Sequence, residues 1–398
     1  MARARRLSSV REHSRGRGGG ASEGGQRLAW KRPGIASIAD IAEGPDGVLT
    51  AGELRACVAS GVLTGDPREA QVQPASLDLG LGPDAVRVRA AFLPGADRTV
   101  AERLDELALH TLDLTGEGAV LEKGCVYVVK LAEGCALPGG LSASANPKSS
   151  TGRIDVFVRL VTDHGTAYER VPDGYSGPLY AEISPRTFSV LVREGSTLNQ
   201  LRLRRGAPGL TDADLSDRHA HSPLSTGGTV GGGLRLSVDL SDRHGQIVGY
   251  RARRHAALID VDRKGALDPT GFWEPIMAPA RGYTILDPDE FYILASREEL
   301  CVPLDLAVEM VAIDTELGAF RAHYAGFFDP GFGVGQGSRA VLEVRGFDAP
   351  FVLEHGQTVA RLTYERLTEA VARGYGDGLG SNYQGQGLRL SKHFAAIA

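Results

Sequence analysis

Aromatic residues are scarce, at 6% of the chain, and only four cysteines occur, Cys57, Cys125, Cys135 and Cys301, with no C-x-x-C pair among them. Such a set excludes a disulfide framework and a cysteine-rich zinc module, and reads as reduced core thiols of a cytoplasmic protein. No run of about 18 apolar residues is present, so no membrane-spanning helix is expected. The sequence lacks G-x-x-x-x-G-K-[ST], a G-x-G-x-x-G after a strand, and G-x-S-x-G, which removes the P-loop, dinucleotide-fold and nucleophile-elbow readings. It also lacks the H-x-E and P-C-x-x-C pairs of zinc-dependent deaminases. His219, His221 and His244 have no cysteine or acid at metal spacing, so no protein metal site and no zinc are expected. Positive charge is not in excess: 44 Lys and Arg against 49 Asp and Glu give a net charge of −5. A whole-protein nucleic-acid clamp would be basic, so no nucleic-acid partner is expected.

Glycine is abundant, 52 residues in 398, about twice the usual ~7% share. With short β-branched or aromatic runs between Gly, Pro and Asp, this gives a mainly β chain with a few short helices. Strands are expected over 125–131, 156–161, 179–183, 188–192, 198–203 and 291–295. Residues 1–33 are rich in Arg, Gly and Ser without apolar periodicity, and read as a disordered basic tail. Thr50, with Glu53 three residues on, caps an expected helix closed by Gly61. Further short helices are expected over 211–218 and 367–373.

Internal similarity organises the rest. Ser76-Leu77-Asp78-Leu79 recurs as Ser237-Val238-Asp239-Leu240, Leu179–Ile183 as Ala340–Val344, and Gly195–Leu198 as Gly356–Val359, each 161 residues later. Leu121-Glu122, Val126–Val129 and Pro138 recur as Leu286-Asp287, Phe291–Leu294 and Pro303 at an offset of 165. The chain therefore reads as two tandem copies of one β-barrel or jelly-roll unit. The divisions are a first domain over 34–205, a Gly- and Ser-rich linker over 206–232, a second domain over 233–367 and a closing tail over 368–398.

Three stretches carry chemistry. Asn146-Pro147-Lys148-Ser149-Ser150-Thr151-Gly152-Arg153 packs two serine hydroxyls, turn amides and two cations into one polar segment, a composition that suits a polyphosphate. Asp329-Pro330-Gly331-Phe332 puts an aromatic on a turn and leads to a strand bearing Glu343. Its counterpart is Pro172-Asp173-Gly174-Tyr175, followed by Glu182. A carboxylate on an apolar strand should have a raised pKa, as a general base near neutrality needs. The Gly-rich tail with Tyr375, Tyr383, Gln386 and Lys392 can close over a ligand and exclude water.

These stretches together resemble the dCTP deaminases, which share the trimeric dUTPase-like β-fold. Gln73–Leu79 is similar to the family's opening motif, Lys148–Arg153 to its R-S-S-x-x-R motif, Asp329–Phe332 to its D-P-G-W motif and Val341-Leu342-Glu343 to its V-L-E motif. The doubled length is similar to a long tandem bacterial subgroup. The resemblance implies zinc-independent hydrolytic deamination of dCTP to dUTP and ammonia, with Mg²⁺ arriving on the triphosphate. It implies that Glu343 or Glu182 activates the water and that Ser149 and Arg153 position it. It places Asp329 on the deoxyribose, Val341 in the base pocket, and Lys148, Ser150, Tyr375, Tyr383 and Gln386 on the phosphates. It also implies a homo-oligomer with threefold or pseudo-threefold packing.

Each copy departs from the pattern in a different place. Copy one keeps Ser-Ser-x-x-Arg but scrambles the D-P-G turn; copy two keeps the turn but carries Asp314-Thr315-Glu316 where the phosphate motif should fall. A composite site, with the cradle from copy one and Glu343 from copy two, therefore stands beside a self-contained copy-one site using Glu182. A dUTP diphosphatase or bifunctional enzyme, with Asp78 activating water, and a non-catalytic nucleotide-binding module are the alternative functions.

Overall fold

The computed structural model describes residues 38–312, 320–323, 326–346, 349–376 and 383–396. The basic tail 1–33 and the acidic segment Asp314–Glu316 lie outside them. The described chain is mainly β, and one strand scheme is built twice. In copy one, Leu77–Val88 pairs first with Thr197–Arg205 and then with Val126–Ala136. Ser176–Pro185 lies between Val126–Ala136 and Val156–Thr162, while Leu141–Pro147 flanks Thr197–Arg205. In copy two, Leu234–Ser237 pairs with Thr358–Arg366, and Ile247–Ala252 pairs with Phe291–Leu300. Ser338–Gly346 lies between Phe291–Leu300 and Phe320–His323, and Leu306–Ala312 flanks Thr358–Arg366.

The residue register repeats with the strands. Glu182 faces Val128 and Glu343 faces Ile293; Val190 faces Leu121 and Phe351 faces Leu286; Leu201 faces Ala145 and Leu362 faces Met310. These pairs reproduce the 161 and 165 offsets found in the sequence. The opening strand does not. Leu77 pairs with Leu201 and Gly80 with Thr197, whereas in copy two Leu234 pairs with Leu362 and Ser237 with Thr358. Glu133 accepts the Gly80 amide and Glu298 accepts the Ser237 amide. Leu77-Asp78-Leu79-Gly80 therefore corresponds to Leu234-Arg235-Leu236-Ser237, four residues earlier than the Ser-Val-Asp-Leu match placed it. The strand register is set by cross-strand bonding, and the similar letters at 237–240 overlap the strand only at Ser237. Asp78 thus has Arg235, not Asp239, as its counterpart.

The two copies share a core. One apolar cluster holds Leu79, Val129, Ile183 and Phe188 of copy one together with Trp273, Phe291, Ile293 and Val341 of copy two. Phe188, Phe272, Trp273 and Phe394 pack edge to face, with centroids 5.2–5.9 Å apart. Ser338–Gly346 is buried along its whole length. Period two sends Ala340, Leu342 and Val344 into copy two's own core and turns Val341, Glu343 and Arg345 the other way. The strand can carry a glutamate and an arginine on that face because copy one supplies partners for both.

Helices are short. Ala51–Ser60 is closed by a capping box between Thr50 and Glu53 and by left-handed Gly61, as the sequence requires. Asp212–His221 starts at its cap Thr211, and the segment around it is packed: Leu215 and Leu224 are core residues of copy two. The expected helix over 367–373 does not form. Leu367, Thr368 and Val371 donate their amides to Asp305, Val48 and Leu304 of neighbouring segments, so no intrahelical ladder is available. A helix outside those expected, Val100–Leu107, is capped by Thr99 and Glu102 and packs Val100 with Phe92 and Tyr180.

Candidate active site at the seam between the copies

The cradle forms at the end of Leu141–Pro147. Lys148 begins a one-turn helix, Ser149–Gly152, and its carbonyl accepts the Thr151 and Gly152 amides. The turn points Ser149, Ser150 and Arg153 into a cleft of about 410 Å³. Asp78 and Thr197 hold Lys148 at its rim, the latter at 3.0 Å. Lys264, Lys392 and Arg68 line the same cleft. The Lys392 ammonium is brought down to about 8, first by burial and then by Lys148 and Lys264. Crowded cations next to two serine hydroxyls favour a polyanion.

Copy two supplies the opposite wall. Phe327, Phe328, Asp329 and Phe332 line it. Phe332 meets Phe328 and Tyr375 with centroids 5.0 and 5.7 Å apart. Gly331 has φ +92, and a Cβ there would fall 2.6 Å from the Gly374 Cα, so the turn and the tail approach only with glycine. Burial raises the Asp329 carboxyl to about 6, against the pull of Arg202, with Asp78 adding to the rise. Arg202 comes from copy one, is fully buried, and lies 3.5 Å from Asp329, an ion pair without a hydrogen bond. Its guanidinium stacks 3.9 Å from the Phe327 ring centroid.

The two glutamates sit differently. Glu343 is buried, and its Oε1 is 3.9 Å from Arg153 Nε, an atom with no hydrogen-bond partner. Burial pushes its carboxyl up to about 8, with Arg153 opposing. Glu182 is occupied elsewhere. It accepts from both Nε and Nη2 of Arg159, from the Phe92 amide at 3.2 Å and from Tyr168 at 3.3 Å. The structure therefore brings Arg153 to Glu343 and ties Glu182 into a separate ion pair under the Val100–Leu107 helix. Neither glutamate lines the cleft itself; Glu343 lies buried behind Arg153, which does. Val341, placed in the base pocket by the resemblance, instead sits in the shared apolar core and does not line the cleft.

The tail is already docked. Gln384 exchanges bonds with Gly333 and Gly331, and Gln386 with Arg339. Arg153 then donates to Gln386 Oε1 at 3.1 Å and to the Arg389 carbonyl at 3.0 Å, and lies 3.9 Å from the Tyr383 ring centroid. Ser391 donates to the Ser150 carbonyl, and Phe394 enters the aromatic cluster. Expected residues Lys148, Ser149, Ser150, Arg153, Asp329, Tyr375, Tyr383 and Gln386 all line one cleft. Arg202, Lys264 and Phe328 carried no sequence signal, since each belongs to an ordinary strand or loop and gains its place by the meeting of the copies; Gln200 carried none either, although its bonds are within copy one. Among the described residues no three His, Cys, Asp or Glu side chains converge on a metal position, and no helix is long and apolar enough to cross a membrane.

Comparison with known proteins agrees on one family. The model described as "2′-deoxycytidine 5′-triphosphate deaminase (DCD) N-terminal domain" matches residues 45–207, and the corresponding C-terminal domain model matches 211–394. A crystal structure of 2′-deoxycytidine 5′-triphosphate deaminase from Agrobacterium tumefaciens superposes with a TM-score of 0.78 at 51% identity, covering 82% of this chain and 99% of that one. A "dCTP deaminase, dUMP-forming" of Rhodococcus jostii is 35% identical over 184 residues, 43% of this chain and 91% of its own. A "dCTP deaminase" of Natronomonas pharaonis is 33% identical over 137 residues, 34% of this chain and 67% of its own.

Proposed function

The chain belongs to the 2′-deoxycytidine 5′-triphosphate deaminase family, and from that premise we propose that it hydrolyses dCTP to dUTP and ammonia in one composite site built by its two copies. The observation that carries this reading is the meeting of copy one's Arg153 with copy two's Glu343 at the end of a cleft lined by cations.

In this account Lys148, Lys264, Lys392, Ser149 and Ser150 hold the triphosphate, and Mg²⁺ arrives as part of the substrate. Asp329 accepts the 3′-hydroxyl of the deoxyribose, and the Phe328–Phe332 wall packs against the sugar and base. Glu343, held in a buried site beside Arg153, takes a proton from water, and the resulting hydroxide attacks C4 of the cytosine ring. The same carboxyl gives that proton to N3, then takes the proton of the new C4 hydroxyl and passes it to the amino group, which leaves as ammonia as the C4–N bond breaks and C4 keeps its oxygen as a carbonyl. Arg153 and Ser149 orient glutamate and water. The docked tail, with Tyr375, Tyr383 and Gln386, excludes bulk water from the attack. The reaction suits a cytoplasmic enzyme working on free nucleotide, and chains assembled about a threefold or pseudo-threefold axis would multiply a site already complete within one chain.

The "dUMP-forming" relatives favour one second reading, in which dUTP is cleaved further to dUMP and pyrophosphate, with cleft-lining Asp78 as its water-activating acid. Incubation with dCTP and Mg²⁺ separates the outcomes. Ammonia with dUTP supports deamination alone, ammonia with pyrophosphate and dUMP supports the bifunctional reading, and neither product from dCTP overturns both.

A further inference from the structure

We propose a second anion-binding site at the seam, beside the buried Asp155–Arg345 ion pair, that takes a phosphorylated small molecule. A cavity of about 630 Å³ opens there, within the usual range for ligand pockets. Copy one contributes Lys123 and Arg186; copy two contributes Arg253, Arg254, His255 and Arg345. Two acids share the lining. Glu290 is taken by Arg254, and the Asp289 carboxylate, 90% exposed, stands 4.0 Å from the Arg345 guanidinium. Arg253 is held by Glu274 at 3.1 Å. Lys123, Arg186, Arg253, Arg254 and Arg345 outnumber Asp289 and Glu290 in the lining, and Arg186 also acts on Asp155, so the cavity has an excess of positive charge. Arg345, more than nine-tenths buried, forms its floor. It donates to Asp155, to Thr187 Oγ1 at 2.9 Å and to the Asp289 carbonyl at 2.7 Å, while its Nε has no hydrogen-bond partner. His255 and Asp289 both hold left-handed backbone, φ 58, at the rim, a conformation few non-glycine residues adopt. Guanidinium forks from two walls with a buried donor beneath match phosphate oxygens, and the bounded volume favours a small molecule over a nucleic-acid strand.

The site also reaches the chemistry. Arg345 lies two residues beyond Glu343 on the same face of one strand, and Asp155 lies two residues beyond Arg153. The seam therefore carries two successive ion contacts, Arg153 with Glu343 and Arg345 with Asp155. An anion drawn to Arg345 competes with Asp155 and alters the seating of the loop that bears Arg153. The regulatory consequence rests on the deaminase reading; the binding does not.

Calorimetric titration of the full chain with tripolyphosphate tests the site. Two binding events per chain are expected, one in the cleft and one at the seam. The double substitution Lys123→Glu with Arg186→Glu, both exposed, should weaken one event at least tenfold and leave the other, while Lys148→Glu should do the reverse. ATP in place of tripolyphosphate should fill the same seam site. At saturating dCTP, tripolyphosphate should lower kcat in the wild type and not in the double variant. A single binding event, abolished by Lys148→Glu and untouched by the double substitution, would overturn the proposal. Absent deamination with two events intact would overturn the activity reading alone.

Discussion

Glu343→Gln isolates the most unusual charge in the site. The carboxyl moves from an ordinary value of 4.5 to about 8 in the folded chain. Between those values the folded protein keeps a proton that the unfolded chain releases, so raising the pH drives unfolding. The slope for one such group is about 1.4 kcal/mol per pH unit, and the whole displacement corresponds to roughly 4–5 kcal/mol. Glutamine is uncharged and nearly the same shape, so it imitates the protonated state at every pH. The expected outcome is a variant whose stability advantage over the wild type is small at pH 5 and grows by about 3 kcal/mol by pH 8. Urea denaturation of both proteins across that range measures the difference, and all other titrating groups cancel in it. A difference that stays flat with pH would refute the burial argument, because it would mean that Arg153 at 3.9 Å neutralises the folded carboxylate as well as water does.

Three further outcomes follow from particular contacts. Arg345→Ala should destabilise the fold by about 3–5 kcal/mol, since it removes a buried cation bonded to the fully buried Asp155, and the pair Arg345→Met with Asp155→Asn should recover most of that in the same denaturation assay. Phe394→Ala should lower stability by about 3–5 kcal/mol, because Phe394 is seated against Phe272 and Trp273; removal of the tail should thus depress stability as well as turnover. The pH profile of kcat/KM should show a narrow maximum near 8. Activity rises as Glu343 ionises towards about 8 and falls as Lys392, lowered to about 8, loses its charge, and Lys392→Met should remove the alkaline limb.

Much of this was legible in the residues. Offsets of 161 and 165 reproduce the strand pairing of Glu182 with Val128 and of Glu343 with Ile293, because apolar strands that share a core keep their period. The Thr50–Glu53 box was legible because a cap is a local bond between neighbours. The opening strand was misplaced by four residues because its register depends on which partner amides it meets, and Ser-Val-Asp-Leu imitates the motif without meeting them. Tyr383 and Gln386 were legible as tail residues, but not the fact that the tail is seated in the core: Phe394 looks like a frayed terminus until Trp273 is placed beside it. Arg202 illustrates the remaining gap. In Asn199-Gln200-Leu201-Arg202 it is an unremarkable strand cation, and the approach of Val308, Phe327, Asp329 and Glu365 from the other copy surrounds it.

The central claim is that one copy supplies the phosphate cradle and the other the proton-transferring glutamate. Single-turnover ammonia release by Glu343→Gln and Glu182→Gln, each normalised to folded protein, tests it most directly. Release should fall by about 10²–10⁴-fold in the first and stay within a few-fold of wild type in the second. Loss confined to Glu182→Gln would contradict the claim.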